Sequence, residues 1–209
     1  MGPRPNVVVG GMGLLVLLVL APLLGAGLEV AMPASKTLVV YYSRTGTTQL
    51  VARSIAQRLM ADVEPLRDTV QREGLWGFMR SLKDAIKKSG TTLEPLSVDP
   101  TAYDLVVIGT PDWGKSIAAP TRTFLEEHRG RLKNVAFFLT DGTSDHSAIF
   151  KEMALLVGRE PLATMGIPQT EVQAGRYEGE VQVFVNTLLR TGIPQPRHAV
   201  APPGTAQGL

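Results

Sequence analysis

The chain has 209 residues, with 21 Lys and Arg against 19 Asp and Glu for a net charge of +2, and it has no cysteine. That length suits one domain of ordinary size with a sizeable core, and the absence of a block of five or six basic residues gives no pointer to nucleic acid. Without cysteine there are no disulfides, thiolate zinc sites, thiolate-ligated iron–sulfur clusters or cysteine nucleophile, so any redox chemistry must sit on an organic cofactor or on a metal held without sulfur.

Residues 1–34 stand apart. No charged residue lies between Arg4 and Glu29, and the run from Leu14 to Leu24 is almost wholly aliphatic. About 20 apolar residues span a bilayer as a helix, so a single-pass anchor over residues 5–28 is expected, with a domain at 35–193 and a disordered tail at 194–209 that is rich in Pro, Ala and Gly. A signal peptide with Arg4 as its short basic region is the rival, although Gly25-Ala26-Gly27 makes a poor cleavage site. A third reading begins the functional chain at Met32, as a soluble cytoplasmic protein. Gly11-x-Gly13 resembles the start of a dinucleotide fingerprint, but Val16 stands where the third glycine is needed.

From residue 37 the chain alternates. TLVVYY (37–42) reads as a strand buried on both faces. QLVARSIAQRLM (49–60) reads as a helix with Leu50, Val51, Ile55 and Leu59 on its inner face. DVEPL is a weak second strand, and LWGFMRSLKDAIKK an amphipathic helix with a basic outer face of Arg80, Lys83, Lys87 and Lys88. YDLVVIG (103–109) is the clearest strand, and PTRTFLEEH a helix with proline in its first turn. NVAFFLT is a strand, SAIFKEMALLV a helix, REPLATMGI a strand and EGEVQVFVNTLLR the closing helix. Alternating strands and helices imply a parallel sheet covered on both faces. Ligands bind such sheets outside the carboxyl ends of the strands, where the loops SRTGTT, GTPDWGKS and TDGTSD emerge.

GTPDWGKS (109–116) matches the triphosphate-loop pattern G-x-x-x-x-G-K-[ST]. That loop works only if its Gly-Lys-Ser opens a helix. Pro120 lies four residues after Ser116 and would fall inside that helix, at a cost of about 3 kcal/mol. The proline instead starts the next helix and leaves GKS in a loop. FFLTD also lacks the clean strand that ends in a magnesium-binding aspartate, because Thr140 interrupts it. SRTGTT is the better phosphate loop. It offers hydroxyls from Ser43, Thr45, Thr47 and Thr48, and Gly46 permits a tight turn before a helix N-terminus. The same spacing also suits an ordinary strand–helix turn in which Thr47 or Thr48 caps the helix.

VVYYSRTGTTQLVA resembles the flavodoxin phosphate loop, [ST]-x-T-G-x-T after a hydrophobic strand, with Ser43, Thr45, Gly46 and Thr48 as the matching positions. YDLVVIGTPDWGKSIAAPTRTFLEEH resembles that family's second flavin loop, G-[ST]-P-x-W, through Gly109, Thr110, Pro111 and Trp113. KNVAFFLTDGTSD falls where its third flavin loop falls. Together the three cover about residues 36–191 in the family's order.

The resemblance implies a three-layer α/β flavodoxin-like fold with a five-stranded parallel sheet of order 2-1-3-4-5, here preceded by the hydrophobic segment. It implies noncovalent FMN. Ser43, Arg44, Thr45, Gly46, Thr47 and Thr48 would surround the 5′-phosphate. Trp113 would pack on the isoalloxazine, and Thr110, Pro111, Asp112 and Gly114, with Thr140, Asp141 and Gly142, would line the ring edge. No catalytic side chain and no metal is expected, since His128, His146 and His198 show no paired ligand spacing. The third loop lacks an aromatic, so the second flavin face is left to His146 or to Trp76 and Phe78 of GLWGF. His146 reads equally as a helix-start residue. Asp112, Asp141 and Asp145 would place negative charge near the ring and lower its potential, or act as capping and solvated carboxylates, the reading preferred for Asp145. Lys115 would oppose that field.

The expected function is FMN-based electron transfer with a redox partner protein. The domain would face the cytoplasm, where FMN is met. The alternatives are an FMN-dependent NAD(P)H:quinone-type oxidoreductase with GLWGF as a lid, and a flavin-free interaction module.

Overall fold

A computed structural model describes residues 35–69, 91–141 and 146–192. The expected anchor, the GLWGF helix with its basic face, Gly142, Asp145 and the tail lie outside the described residues. Among those described, no helix is long and apolar enough to cross a membrane.

Five strands form one parallel sheet: β1 (Thr37–Tyr41), β2 (Asp62–Pro65), β3 (Leu105–Pro111), β4 (Val135–Asp141) and β5 (Thr164–Pro168). Their order is β2-β1-β3-β4-β5, with every pair parallel. Among the described residues five helices accompany them: α1 (Thr47–Leu59), α2 (Ala119–Glu127), α3 (Ser147–Val157), the short α4 (Gln169–Gln173) and α5 (Glu178–Arg190), with a 3-10 turn at Pro100–Ala102.

The central strands carry no polar alternation because both sheet faces are covered. On one face Val39, Tyr41, Leu105, Val107, Ala136, Phe138, Met165 and Ile167 pack on Val51, Ile55 and Leu59 of α1 and on Val181, Phe184, Val185 and Leu188 of α5. On the other, Leu38, Val40, Val106, Ile108, Phe137 and Leu139 pack on Phe124 and Leu125 of α2 and on Ile149, Met153 and Val157 of α3. Each fully buried Val, Leu, Ile or Phe among them contributes roughly 1.5–3 kcal/mol. Across α2 and α3, the buried Arg122 pairs with Glu152 at 3.0 Å.

Several expected boundaries shift. Leu50, read as inward facing, is 51% exposed. The buried stripe of α1 runs through Thr48, Val51, Ala52, Ile55, Ala56 and Leu59, which turns Leu50 to solvent. The strand read over REPLATMGI begins only at Thr164, and β5 alternates between exposed and buried positions because it is an edge strand. The 3-10 turn is held by Asp99, whose carboxylate accepts the Thr101 N–H at 2.9 Å and its hydroxyl at 2.8 Å.

After β2 the chain leaves the sheet and returns beside itself. Thr69 N donates to Thr92 O at 3.1 Å, and Glu94 N to Arg67 O at 2.9 Å. The buried Glu64 carboxylate anchors the return by accepting the Ser97 backbone N–H, at 3.2 Å, and the Ser97 hydroxyl. The long connection is thereby rooted at the β2 edge of the sheet.

Candidate functional site

The chain runs from β1 outward to β2 on one side and from β3 to β4 and β5 on the other. The switch in direction falls between β1 and β3, where open parallel sheets bind ligands; flavodoxin is a standard example of that rule. The loops after β1 and β3 and the end of β4 meet there.

In the first loop, Ser43 Oγ accepts the Gly46 N–H at 3.1 Å, and the Thr45 and Thr47 hydroxyls lie 3.4 Å apart. Gly46 is the N-cap of α1 with φ of 90°, and no side chain caps the helix. A Cβ at Gly46 would meet nothing within 4 Å, so backbone conformation rather than space calls for glycine. Neither Thr47 nor Thr48 serves as the cap, which corrects the cap residue named in the ordinary-turn reading. The first helical bond runs from Leu50 N to Gly46 O at 3.0 Å. The N–H groups of Thr47, Thr48 and Gln49 precede it and have no carbonyl inside the helix to take them. They leave a concentrated positive field beside the hydroxyls. Arg44 and Thr45 are exposed, Ser43 and Thr47 half-buried, and Thr48 buried.

The second loop is a tight excursion from the end of β3. Thr110 is fully buried; its hydroxyl donates to Pro111 O at 3.1 Å and accepts from Ala118 N at 3.3 Å, closing the loop base. Asp112 and Ile117 form an antiparallel bridge. Asp112 Oδ1 accepts the Ser116 N–H at 3.1 Å, and Trp113 N donates to Ser116 O at 3.1 Å. Gly114 and Lys115 form the tip with φ of 67° and 62°. Helix α2 starts at Ala119, with Pro120 in its first turn. Gly-Lys-Ser therefore lies in loop, as Pro120 predicts, and cannot cradle a phosphate at a helix start. The half-buried Trp113 packs on the core and sets its ring against Tyr42 at 5.6 Å and 88°. Asp112, read as a charge near the ring, also ties its own loop together.

The end of β4 joins both loops. Thr140 O accepts the Asp112 N–H at 3.0 Å. The Thr140 hydroxyl lies 2.7 Å from that of Thr48, in a buried pair. Asp141 ends the strand. His146 occupies the N-cap position of α3. A Cβ on Gly166 would come within 2.1 Å of its Nδ1, so the ring lies directly over that glycine of β5. It also meets Phe150 at 6.1 Å and 65°. The helix-start reading of His146 thus describes its place in the fold.

Ser43 to Thr48, Thr110 to Gly114, and Thr140 with Asp141 are thus brought together from adjacent strand ends. Tyr42 N, which donates to Gly109 O at 3.1 Å, ties the first loop to the second. Sequence reasoning missed Tyr42 as the support of Trp113, and Thr140 as the side-chain partner of Thr48. The signal available was their position at the carboxyl ends of two apolar runs, Tyr42 just past β1 and Thr140 next to the last residue of β4.

No protein-family model matches the chain, and no curated protein matches it. Solved structures do. The crystal structure of a flavoprotein in complex with FMN from Lactobacillus acidophilus NCFM is 23% identical, with a TM-score of 0.56 over 68% of this chain and 98% of that one. The NMR structure of the apo-form of the flavoprotein from the same organism is 25% identical, with a TM-score of 0.51 over 67% and 96%. Oxidised Flavodoxin 2 from Bacillus cereus is 18% identical over 75% and 99%, with a TM-score of 0.48. With its five parallel strands in the order 2-1-3-4-5 and its loops gathered at the switch point, the chain is a flavodoxin-like protein by fold.

Proposed function

We propose that the chain binds FMN without covalent attachment and carries electrons between protein partners. The observation that carries this reading is the uncapped start of α1 beneath a hydroxyl-bearing loop at the switch point, with the Trp113 loop on the neighbouring strand. The donor set fits a phosphate monoester: hydroxyls of Ser43, Thr45, Thr47 and Thr48, first-turn N–H groups and the guanidinium of Arg44, with no acidic side chain between Ser43 and Thr48. The likeness to a flavoprotein in complex with FMN supports the same cofactor.

When bound, FMN supplies electron exchange between its oxidised and reduced states. The chain's residues bind and orient. The first loop holds the phosphate end. Trp113, braced by Tyr42, offers an aromatic face to the ring, a contact worth about 0.5–1.5 kcal/mol beyond burial. Asp112 sets a carboxylate beside the ring site and biases against further negative charge there. Docking of a redox partner protein, and tethering to a membrane through the apolar residues 5–28, belong to the same proposal and rest on sequence alone.

Titration of the purified protein with FMN, followed by flavin fluorescence, tests the reading. Saturable quenching is expected, with slow reduction of the complex by NADPH alone. Rapid reduction would favour the oxidoreductase alternative, and no quenching would favour the interaction module.

A further inference from the structure

Thr140, in β4, touches the elements after both β1 and β3. Its carbonyl accepts from Asp112 in the second loop at 3.0 Å, and its hydroxyl meets Thr48 in the first turn of α1 at 2.7 Å. Both side chains are buried, Thr48 at 1% and Thr140 at 4% exposure. A hydroxyl has one proton and two lone pairs. In a pair of hydroxyls one donates, and the other keeps a proton to give elsewhere. If Thr48 turns its proton to an anion at the helix start, only its lone pair remains for Thr140, and Thr140 must be the donor. The pair then acquires a direction, and the two bonds polarise each other.

We propose that Thr140 is a positioning residue for the phosphate end of the flavin site: it fixes the first turn of α1 against β4 and aims the Thr48 hydroxyl at the phosphate. This rests on the FMN reading above. It assigns Thr140 a role different from that of a ring-edge contact, and the difference is measurable because riboflavin carries the same ring without the phosphate.

The test compares FMN and riboflavin affinities of the full chain with those of Thr140→Val, Thr140→Ser and Thr48→Val. Valine keeps the β-branched shape and removes the hydroxyl. Loss of one such bond should weaken FMN by about five- to tenfold, with riboflavin affinity unchanged within about twofold. Thr140→Ser should restore FMN binding, and Thr48→Val should show the same selective loss. The double valine variant should lose little more than either single one. Riboflavin affinity on the same preparation reports whether each variant is folded. Equal weakening of both ligands would make the pair a structural cross-link and overturn the inference, as would an unmoved FMN affinity. A native protein that binds neither flavin, or both equally, would remove the phosphate cradle itself and the inference with it.

Discussion

Gly109 opens the motif that resembles a flavin loop, yet its surroundings give it a packing role. A Cβ there would lie 2.0 Å from Cζ, 2.4 Å from Cε1 and 2.7 Å from Cε2 of Phe138. Phe138 is fully buried, with Val39, Tyr41 and residues of α1 and α5 in the same core, so its ring has no space into which to retreat. Overpacking of this kind costs about 1–3 kcal/mol. The lower chain entropy of unfolded Ala offsets about 0.4–1 kcal/mol of that. An approach as close as 2.0 Å places the cost in the upper half of that range, so Gly109→Ala should destabilise by about 1–2.6 kcal/mol, or a fall in Tm of roughly 2–10 °C for a domain of this size. Urea unfolding followed by far-ultraviolet circular dichroism should show a lower midpoint with an unchanged slope. In the Gly109→Ala, Phe138→Leu double variant the clash is relieved, so the two changes should fall short of additivity by about 1 kcal/mol or more. Additive effects, or a neutral Gly109→Ala, would show that the ring over Gly109 does not constrain this position.

Trp113→Ala should weaken FMN by about tenfold through loss of the ring contact and its burial, whereas Lys115→Ala at the exposed loop tip should stay within about twofold; equal effects in a fluorescence titration would sink the role given to Trp113. Tyr103 bears on stability at high pH. Burial first, and then its 2.8 Å hydrogen bond to Asp62, push its phenol from 10.0 up to about 12. The neutral phenol is thus favoured in the folded state, so its contribution is complete below pH 10 and is lost as the pH rises towards 12. A rise of that size corresponds to about 2–3 kcal/mol. Denaturant midpoints of the native chain should accordingly fall more steeply over that interval than those of Tyr103→Phe, and parallel slopes would contradict the assignment.

The sheet was legible because its inner strands are apolar runs bounded by turn-forming residues, and a strand covered on both faces needs no alternation. Helices Ser147–Val157 and Glu178–Arg190 were readable to the residue, since their apolar stripes recur at helical spacing. Leu50 misled because apolar identity at nearly the right spacing does not fix the centre of a stripe. The edge strand β5 was read too early, as its pairing decides where it starts. The 3-10 turn and the five-residue α4 are too short to show periodicity. At the site, Pro120 correctly disqualified the triphosphate motif by a local rule. The Thr48–Thr140 pair spans 92 positions along the chain, and Trp113 meets Tyr42 only because β1 and β3 are neighbours. Contacts of that kind follow from topology and have no local signature.

The most direct measurement is the visible absorption spectrum of the purified full chain after desalting, with identification of any pigment released by heat. A flavin spectrum with FMN as the released species is the predicted result. A colourless protein that also fails to quench added FMN would contradict the account and leave the three loops as scaffold.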